Sequence, residues 1–260
     1  MVRKELFMKK IIFGLMTLTL SNIETFSSPV ILISIPKCGT HLMGKLLGIL
    51  TDQQHRTPGI RVITGSEQVV EQTLRLYKEG KFSHIHFNFS PKGIRLYKEY
   101  GIKPFFIYRD PRDQIIAWAL SENTDSERSI EDRIFDTIDP YKEYFWGYHG
   151  INDLYTNIAP WADAPSVCAV KFEDLVGPAG GGSIEKQHNA IQRVANHLGL
   201  TLSDTVIALI ANGLFGNSTT FREGKIGAWK EYFTQEHKDL FKKHAGQILI
   251  DLGYETDFNW

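Results

Sequence analysis

Apolar positions along the chain follow two alternating patterns: short continuous runs, and longer stretches with helical spacing. Four runs rich in β-branched and aromatic residues predict strands, at 30–35, 82–87, 104–108 and 167–172. Stretches with helical spacing predict helices at about 41–50, 67–79, 91–100, 112–120, 184–198, 202–211 and 235–252. This alternation predicts an α/β fold in which helices flank a central, mainly parallel sheet.

The first 28 residues differ in pattern from the rest of the chain. Met8-Lys9-Lys10 precedes an apolar run from Ile11 to Leu20, and small or polar residues follow. This order is that of a secretory signal, and it fits a surface-packed N-terminal helix equally well. The run is too short to span a bilayer. We therefore divide the chain into residues 1–28 and a single domain over 29–260, located in the cytoplasm or exported through the signal-like segment.

Composition narrows the classes of partner. The chain has 260 residues, a formal net charge of −1 and 42% hydrophobic residues, so it is an ordinary globular protein and not a general polyanion binder. Any anion site must be built locally, and no nucleic-acid partner is expected. Cys38 and Cys168 form no pairing motif, which fits a reduced compartment. The glycine-rich stretch 177–182 is expected to be a flexible surface loop.

One stretch, ILISIPKCGTHLMGKLL at 31–47, contains two patterns that could bind phosphate. Gly39, Gly44 and Lys45 have the G-x-x-x-x-G-K spacing of a nucleoside triphosphate loop. A leucine, however, follows Lys45 at the position where that loop needs a hydroxyl to hold magnesium. A P-loop kinase that uses Lys45 is therefore the weakest alternative.

The other pattern, Lys37-Cys38-Gly39-Thr40, lies between the predicted strand and the predicted helix. Free amides, the positive end of the helix, a glycine that permits close approach and a hydroxyl all meet there. Lys37 is the better phosphate ligand. A structural turn without a ligand stays open for this stretch taken alone.

Two distant segments share this character. Tyr108–Asp113 follows a strand and opens a helix, and Phe221–Thr234 combines basic residues, glycines and aromatics just before the last helix. Together with Pro36–Thr40, in this order, they resemble the sulfotransferases that use 3′-phosphoadenosine 5′-phosphosulfate (PAPS). The resemblance covers most of the chain from Val30 onwards. It implies a P-loop-like nucleotide-binding architecture, PAPS as sulfate donor and no metal.

The resemblance also implies which residues bind PAPS. Five residues match the loop that holds the 5′-phosphosulfate end of PAPS: Lys37, Cys38, Gly39, Thr40 and His41. Of these, Cys38 replaces a serine of the family pattern and His41 replaces a threonine. Arg109 and the pair Arg222 and Gly224 match the residues around the 3′-phosphate. Phe172 matches a tyrosine that contacts adenine.

Two residues match positions with catalytic roles. His86 opens a segment that resembles the family's His-Leu-Pro-Tyr-Ser-Pro, whose histidine is the general base, and Lys37 would stabilise the leaving phosphate. His84 stands where many members have a lysine. The aromatic stretch 135–161 is expected to contact a small-molecule or glycan hydroxyl acceptor, although most of its rings suit a protein core equally well.

Departures from the family pattern keep a second class of function open. Ala117 replaces a serine near the 3′-phosphate, and Glu223 replaces a lysine where a carboxylate would repel phosphate. A protein that binds PAPS or its product without catalysis is therefore the main alternative. Metal binding is not expected, because the chemistry needs no metal and His41, His55, His84 and His86 lack the spacing of a zinc site.

Overall fold

The computed structural model describes residues 28–56, 59, 65–121, 127–145, 147–215 and 224–260. Residues 1–27 of the predicted N-terminal segment 1–28 lie outside these ranges, and so do Arg222 and Glu223. Within the described ranges, no helix is both long enough and apolar enough to cross a membrane.

Within the described part of the chain, seven strands form one large sheet and one hairpin. They are β1 (Val30–Ser34), β2 (Gln54–Arg56), β3 (Lys81–Ile85), β4 (Lys103–Tyr108), β5 (Glu143–Phe145), β6 (Tyr148–His149) and β7 (Cys168–Lys171). The large sheet has the order β2-β3-β1-β4-β7 and every pair in it is parallel, whereas β5 and β6 pair antiparallel. The prediction of an α/β fold with a mainly parallel sheet is confirmed.

Eleven α-helices occur in the described ranges. They are α1 (Thr40–Thr51), α2 (Ser66–Lys78), α3 (Pro91–Glu99), α4 (Pro111–Ala119), α5 (Ile130–Ile138), α6 (Gly150–Ile158), α7 (Phe172–Leu175), α8 (Ile184–Leu198), α9 (Asp204–Leu214), α10 (Trp229–Tyr232) and α11 (Gln235–Asp251). The sequence predicted seven of them within a few residues at each end and missed the short helices together with α5 and α6.

The central strand β1 is buried on both faces, which its unbroken apolar run requires. Ile31 and Ile33 face the core that contains α4, α6 and α11, while Val30 and Leu32 face the core that contains α1, α8 and α9. A five-stranded parallel sheet between two apolar layers therefore aligns the carboxyl ends of β1, β3, β4 and β7 at one edge, where ligands bind in such folds.

Helix α4 begins at a strong start signal. The Asp110 side chain accepts from the amide of Arg112, and Pro111 takes the first helical position, where no amide hydrogen is needed. This cap fixes the turn between β4 and α4. It places Arg109 at the carboxyl edge of the sheet.

The glycine-rich stretch corrects our expectation of a flexible surface loop. Residues Pro178–Gly180 form a 3₁₀ turn, and the carbonyl oxygen of the buried Gly180 accepts from the amide of Ile226 at 2.9 Å. A Cβ atom at Gly180 would lie 2.6 Å from the carbonyl oxygen of Gly224. Glycine is needed here for close backbone approach, so the stretch supports residues 224–226.

Candidate active site

The loop between β1 and α1, residues 35–39, has an unusual backbone. Lys37 has φ 63° and Gly39 has φ 94°, so two residues of the loop occupy the left-handed region. Lys37 carries strain in this conformation because it has a Cβ atom. No side chain caps the N-terminus of α1. The loop thus presents the first amides of α1 next to the Lys37 side chain, which is the arrangement that binds phosphate groups.

Ser34 connects this loop to His86. The Ser34 hydroxyl lies 2.9 Å from the Thr40 hydroxyl, and the carbonyl oxygen of Ser34 lies 2.7 Å from Nδ1 of His86. Sequence reasoning missed Ser34. The signal was available, because Ser34 is a polar residue inside the aliphatic run 30–35 and lies at the carboxyl end of the strand.

The His86 ring has a defined tautomer. A carbonyl oxygen can only accept, so Nδ1 of His86 donates to Ser34 and the lone pair lies on Nε2. Burial lowers the pKa of His86 to about 4, against a smaller opposing effect of the hydrogen bond to Ser34. The ring is therefore neutral at neutral pH and has the lone pair that a general base requires.

Three further histidines form a cluster with His86, which His84 contacts at 5.6 Å between ring centroids, although their spacing in sequence gives no hint of it. Nε2 of His55 lies 3.1 Å from Nδ1 of His84, and the His41 ring lies 6.0 Å from both rings. Burial lowers the pKa of His55 to about 4 and that of His84 to about 3, so both are neutral. His84 cannot supply the charge of the lysine it replaces. Among the described residues, no group of three or more acidic, histidine or cysteine side chains is arranged to hold a metal ion.

The G-x-x-x-x-G-K spacing has a packing origin. A Cβ atom at Gly44 would lie 2.4 Å from Nδ1 of His55, so this glycine makes room for the histidine ring. The Lys45 ammonium donates to the carbonyl oxygen of Leu214 at 3.5 Å, where α9 ends. Neither residue takes part in the β1–α1 loop.

Cys38 turns away from the loop surface. Its thiol is fully buried, lies 3.5 Å from the Tyr155 hydroxyl, and has a pKa that burial raises to about 12. Its amide donates to the carbonyl oxygen of Ile35 at 3.2 Å. Cys38 was predicted to bind PAPS, but its side chain lies in the core, where burial keeps the thiol protonated at neutral pH.

Arg109 and the β1–α1 loop meet at Phe172. The Arg109 guanidinium lies over the Phe172 ring, 4.5 Å from its centroid, and a Cβ atom at Gly39 would lie 2.7 Å from the same ring. Nη2 of Arg109 donates to the carbonyl oxygen of Lys225 at 2.6 Å and lies 3.6 Å from the Asp113 carboxylate. Nε of Arg109 is buried without a hydrogen-bond partner in the described part of the chain.

Helix α4 anchors the segment that begins at Gly224. The Asp113 carboxylate accepts from the amides of Gly227, at 2.7 Å, and Trp229, at 3.0 Å. Gly224 lies against Gly180 in the turn described above. The structure thus brings Gly224 and Arg109 to the same region, while the predicted partner Arg222 lies outside the described residues.

Lys37 and His86 border one wall of aromatic rings. The Lys37 ammonium lies 6.0 Å from the Trp118 ring centroid, the Trp118 ring lies 5.1 Å from Phe145, and Phe145 lies 5.9 Å from His86. Other rings of the stretch 135–161 have different surroundings. Tyr144, Tyr155 and Trp161 are buried in the core, to which the largely buried Phe145 also belongs, and Tyr141 is 89% exposed.

Gln114 is a second residue that sequence reasoning missed. Its side chain is fully buried in α4, donates to the carbonyl oxygen of Pro36 at 2.9 Å, and bonds to the Tyr144 hydroxyl. It therefore connects the β1–α1 loop to the hairpin that carries Phe145. A glutamine one turn into an apolar helix is a weak signal, because nothing local indicates its partners.

Comparisons with known proteins agree on one family. The family model for the sulfotransferase domain matches residues 27–253. Sulfotransferase 6B1 of Mus musculus is 25% identical over 273 aligned positions, which cover 91% of this chain and 83% of the relative.

Two solved structures have a similar fold at low identity. Mouse sulfotransferase SULT7A1 complexed with PAP has a TM-score of 0.60 and 16% identity, and covers 88% of this chain and 89% of its own. Retinol dehydratase in complex with androsterone and the inactive cofactor PAP has a TM-score of 0.60 and 15% identity. The match covers 85% of this chain and 80% of the retinol dehydratase chain.

Proposed function

Since the chain belongs to the sulfotransferase family, and so to the PAPS-dependent transferases, we propose that it moves the sulfuryl group of PAPS to a hydroxyl acceptor, with His86 as general base and Lys37 at the leaving phosphate. One observation carries this proposal. Gly39 of the β1–α1 loop and Arg109 both contact the Phe172 ring, so the groups proposed for the two ends of the nucleotide lie close to one ring.

The residues present suit an adenosine nucleotide with two phosphate groups. Nε of Arg109 is a buried donor that lacks a partner in the described part of the chain, and such a group calls for an acceptor such as a phosphate oxygen. In the proposal Arg109 holds the 3′-phosphate together with Arg222 and Gly224. Phe172 offers its ring to the adenine. Lys37, Thr40 and His41 hold the 5′ end, with the amide hydrogens at the start of α1.

The acceptor is activated on the His86 side of the site. Nε2 of His86 removes the hydroxyl proton as the acceptor oxygen forms its bond to sulfur. The hydrogen bond from Nδ1 to Ser34 keeps the ring in the tautomer that this step needs. It also stabilises the imidazolium that results, because the carbonyl oxygen faces the N–H dipole.

Lys37 stabilises the negative charge that develops on the leaving group. As the bond between sulfur and the bridging oxygen breaks, negative charge develops on the 5′-phosphate, and an ammonium beside it lowers the barrier. The neutral His84 does not add a second charge at the family's lysine position. Alignment of acceptor oxygen, sulfur and leaving oxygen supplies much of the remaining rate enhancement.

The acceptor is proposed to be a small-molecule or glycan hydroxyl. The wall formed by Trp118 and Phe145 lies beside both Lys37 and His86, and aromatic rings of this kind suit a planar or apolar alcohol or the face of a sugar. Androsterone and retinol, in the structures of retinol dehydratase, are alcohols of that shape.

Binding of the nucleotide without catalysis is the second candidate. It is favoured by the neutral His84 and by Ala117, which removes a hydroxyl from α4 near Arg109. Under this hypothesis the protein binds 3′-phosphoadenosine 5′-phosphate (PAP, the product that remains after transfer) but transfers nothing.

Two measurements test these candidates. Purified protein is incubated with ³⁵S-labelled PAPS and a panel of phenols, sterols, apolar alcohols and sugars, and PAP binding is measured by calorimetry. We expect micromolar PAP binding and label transfer to at least one acceptor class, with transfer lost in His86→Ala and PAP affinity retained. PAP binding without any transfer favours the second candidate, and no PAP binding excludes both.

A further inference from the structure

Helix α4 holds the segment 224–230 through two side chains of opposite charge. Asp113 binds the segment's amides, as described above. Arg112, one residue earlier, faces Trp229 of the same segment with its guanidinium 4.2 Å from the ring centroid. The proposed function uses Arg109 and the segment but gives no role to Arg112.

Arg112 is enclosed on all sides. Its side chain is 4% exposed, and its guanidinium bonds to the Asp110 carboxylate at 2.7 Å and to the Glu255 carboxylate at 2.7 Å. A second indole, Trp260, also contacts the guanidinium, with its ring centroid 4.5 Å away. The guanidinium therefore lies in the corner formed by the two indole rings, which meet edge to face, and it bonds to two carboxylates, an arrangement that suits the flat fork of arginine.

Trp260 is far along the chain from the PAPS residues yet is packed behind them. Its ring meets Trp229 edge to face, with centroids 5.6 Å apart, and meets Phe241 of α11 in the same way at 5.9 Å. Its indole N–H has no hydrogen-bond partner among the described residues. Trp260 therefore acts through its ring, which shields Arg112 from water and packs against Trp229.

We propose that Arg112 and Trp260 are positioning residues for nucleotide binding, which they serve by fixing Trp229 and the segment 224–230 before PAPS arrives. This inference rests on the proposed function. Lys225 of that segment meets Arg109 through its carbonyl oxygen, and Gly227 and Trp229 bind Asp113, which itself lies 3.6 Å from Arg109. Movement of the segment therefore disturbs the residue proposed to hold the 3′-phosphate.

The physical argument is one of preorganisation. A segment that is ordered before binding loses less conformational entropy when the nucleotide binds, and this appears as affinity. Without Trp260, water reaches one face of the guanidinium and weakens its attraction to Trp229, because cation–π contacts are strongest when desolvated. Nothing in this arrangement touches the sulfuryl group or His86, so the rate of the chemical step at saturating PAPS is expected to persist.

The test compares Trp260→Ala with Trp260→Phe. For Trp260→Ala we expect PAP dissociation constants and the KM for PAPS to rise about tenfold, as loss of a desolvated cation–π contact implies, with kcat within about twofold of the parent. Trp260→Phe retains an aromatic face and loses no hydrogen bond, so it restores most of the affinity. Arg112→Lys keeps the charge but not the flat stacking surface, and we expect it to weaken PAP binding like Trp260→Ala.

Phe258→Ala is the matched control. Phe258 belongs to the same stretch of chain but packs on Gly246 of α11, where a Cβ atom would lie 2.7 Å from its ring. Thermal unfolding of all variants separates folding from binding. Unchanged PAP affinity in Trp260→Ala, or an equal loss in Phe258→Ala, overturns the positioning role. Failure of the unmodified protein to bind PAP would instead overturn the proposed function.

Discussion

His86 donates its Nδ1 hydrogen to the backbone carbonyl oxygen of Ser34 at 2.7 Å, and the hydroxyl of the same Ser34 meets Thr40 at 2.9 Å. One residue at the end of β1 thus sets the position of the proposed base and of the loop that would hold the 5′ end of PAPS. Both contacts involve the carboxyl end of the central strand, which is buried and rigid. The sheet therefore fixes the position of the proposed base relative to the β1–α1 loop.

The pH dependence of transfer follows from this environment. Burial lowers the pKa of His86 to about 4, so the ring stays neutral across the neutral pH range. Only in acid is the ring protonated, and it can then no longer accept a proton from the acceptor hydroxyl. We expect kcat/KM for the acceptor to be constant from about pH 8 to about pH 5 and to fall below that with a midpoint near 4. Initial rates at constant ionic strength measure this profile, with PAP affinity at each pH as the control. A descending limb centred near 6.5, the value of a solvated imidazole, would contradict the buried geometry.

The two lysines of the β1–α1 region are expected to differ sharply. Lys37→Ala removes the ammonium proposed to neutralise the leaving phosphate, and kcat should fall by about 10²–10³-fold, the usual effect of losing one group that stabilises transition-state charge. Lys45 donates to the carbonyl oxygen of Leu214 and lies outside the β1–α1 loop, so Lys45→Ala leaves the ammonium proposed for the leaving phosphate in place, and kcat should change less than about twofold.

The same pair of variants tests the kinase alternative. A P-loop kinase that uses Lys45 would bind ATP in a magnesium-dependent way, lose that binding in Lys45→Ala and keep it in Lys37→Ala. Calorimetry with ATP and magnesium tests this outcome. In the pattern that we expect instead, Lys37→Ala changes PAP binding and Lys45→Ala does not.

Glu173 is a partly buried carboxyl with a predictable effect on stability. It accepts from the amide of Asp110 at 2.9 Å and from the Tyr254 hydroxyl at 3.0 Å, and burial raises its pKa to about 7. The folded protein therefore binds this proton more tightly than the unfolded chain does, and stability falls as pH rises from about 4.5 to about 7. Above that range the full penalty of the buried charge remains.

Glu173→Gln removes this penalty but keeps an acceptor for the amide of Asp110. We expect the variant to have a higher Tm than the parent at pH 8 and an equal or lower Tm at pH 5. Thermal unfolding at the two pH values measures the difference. An increase in Tm of the same size at both pH values would show that Glu173 does not titrate between them.

The sequence predicted those features that depend on neighbouring residues. The apolar run 30–35 predicted a doubly buried strand and Asp110-Pro111 predicted the start of α4, because burial pattern and helix capping are local properties. The choice of Lys37 over Lys45 also needed only the local placement of each residue relative to the predicted helix.

Features that depend on contacts between distant residues were not predictable. Cys38 matches a serine of the family pattern, yet its side chain packs into the core beside Tyr155, more than a hundred positions away in the chain. The glycines at 177–182 were expected to be flexible because nothing local shows that Gly180 supports Ile226. The spacing of the four histidines excluded only a zinc site, and it gave no sign that neighbouring elements bring the four rings together.

Gly44 gives the sharpest test of such a distant contact. In the interior of an isolated helix, Gly→Ala stabilises by about 1 kcal/mol, but a Cβ atom here would lie 2.4 Å from Nδ1 of His55. We expect Gly44→Ala to lower the free energy of unfolding by about 1–3 kcal/mol, the range for overpacked sites. In a His55→Ala background the space is vacant, so the same change should stabilise by about 1 kcal/mol. Urea unfolding of the four proteins in this cycle measures the coupling. If Gly44→Ala had the same sign in both backgrounds, the glycine would not be there to accommodate His55, and the close packing of α1 on the histidine cluster would have to be abandoned.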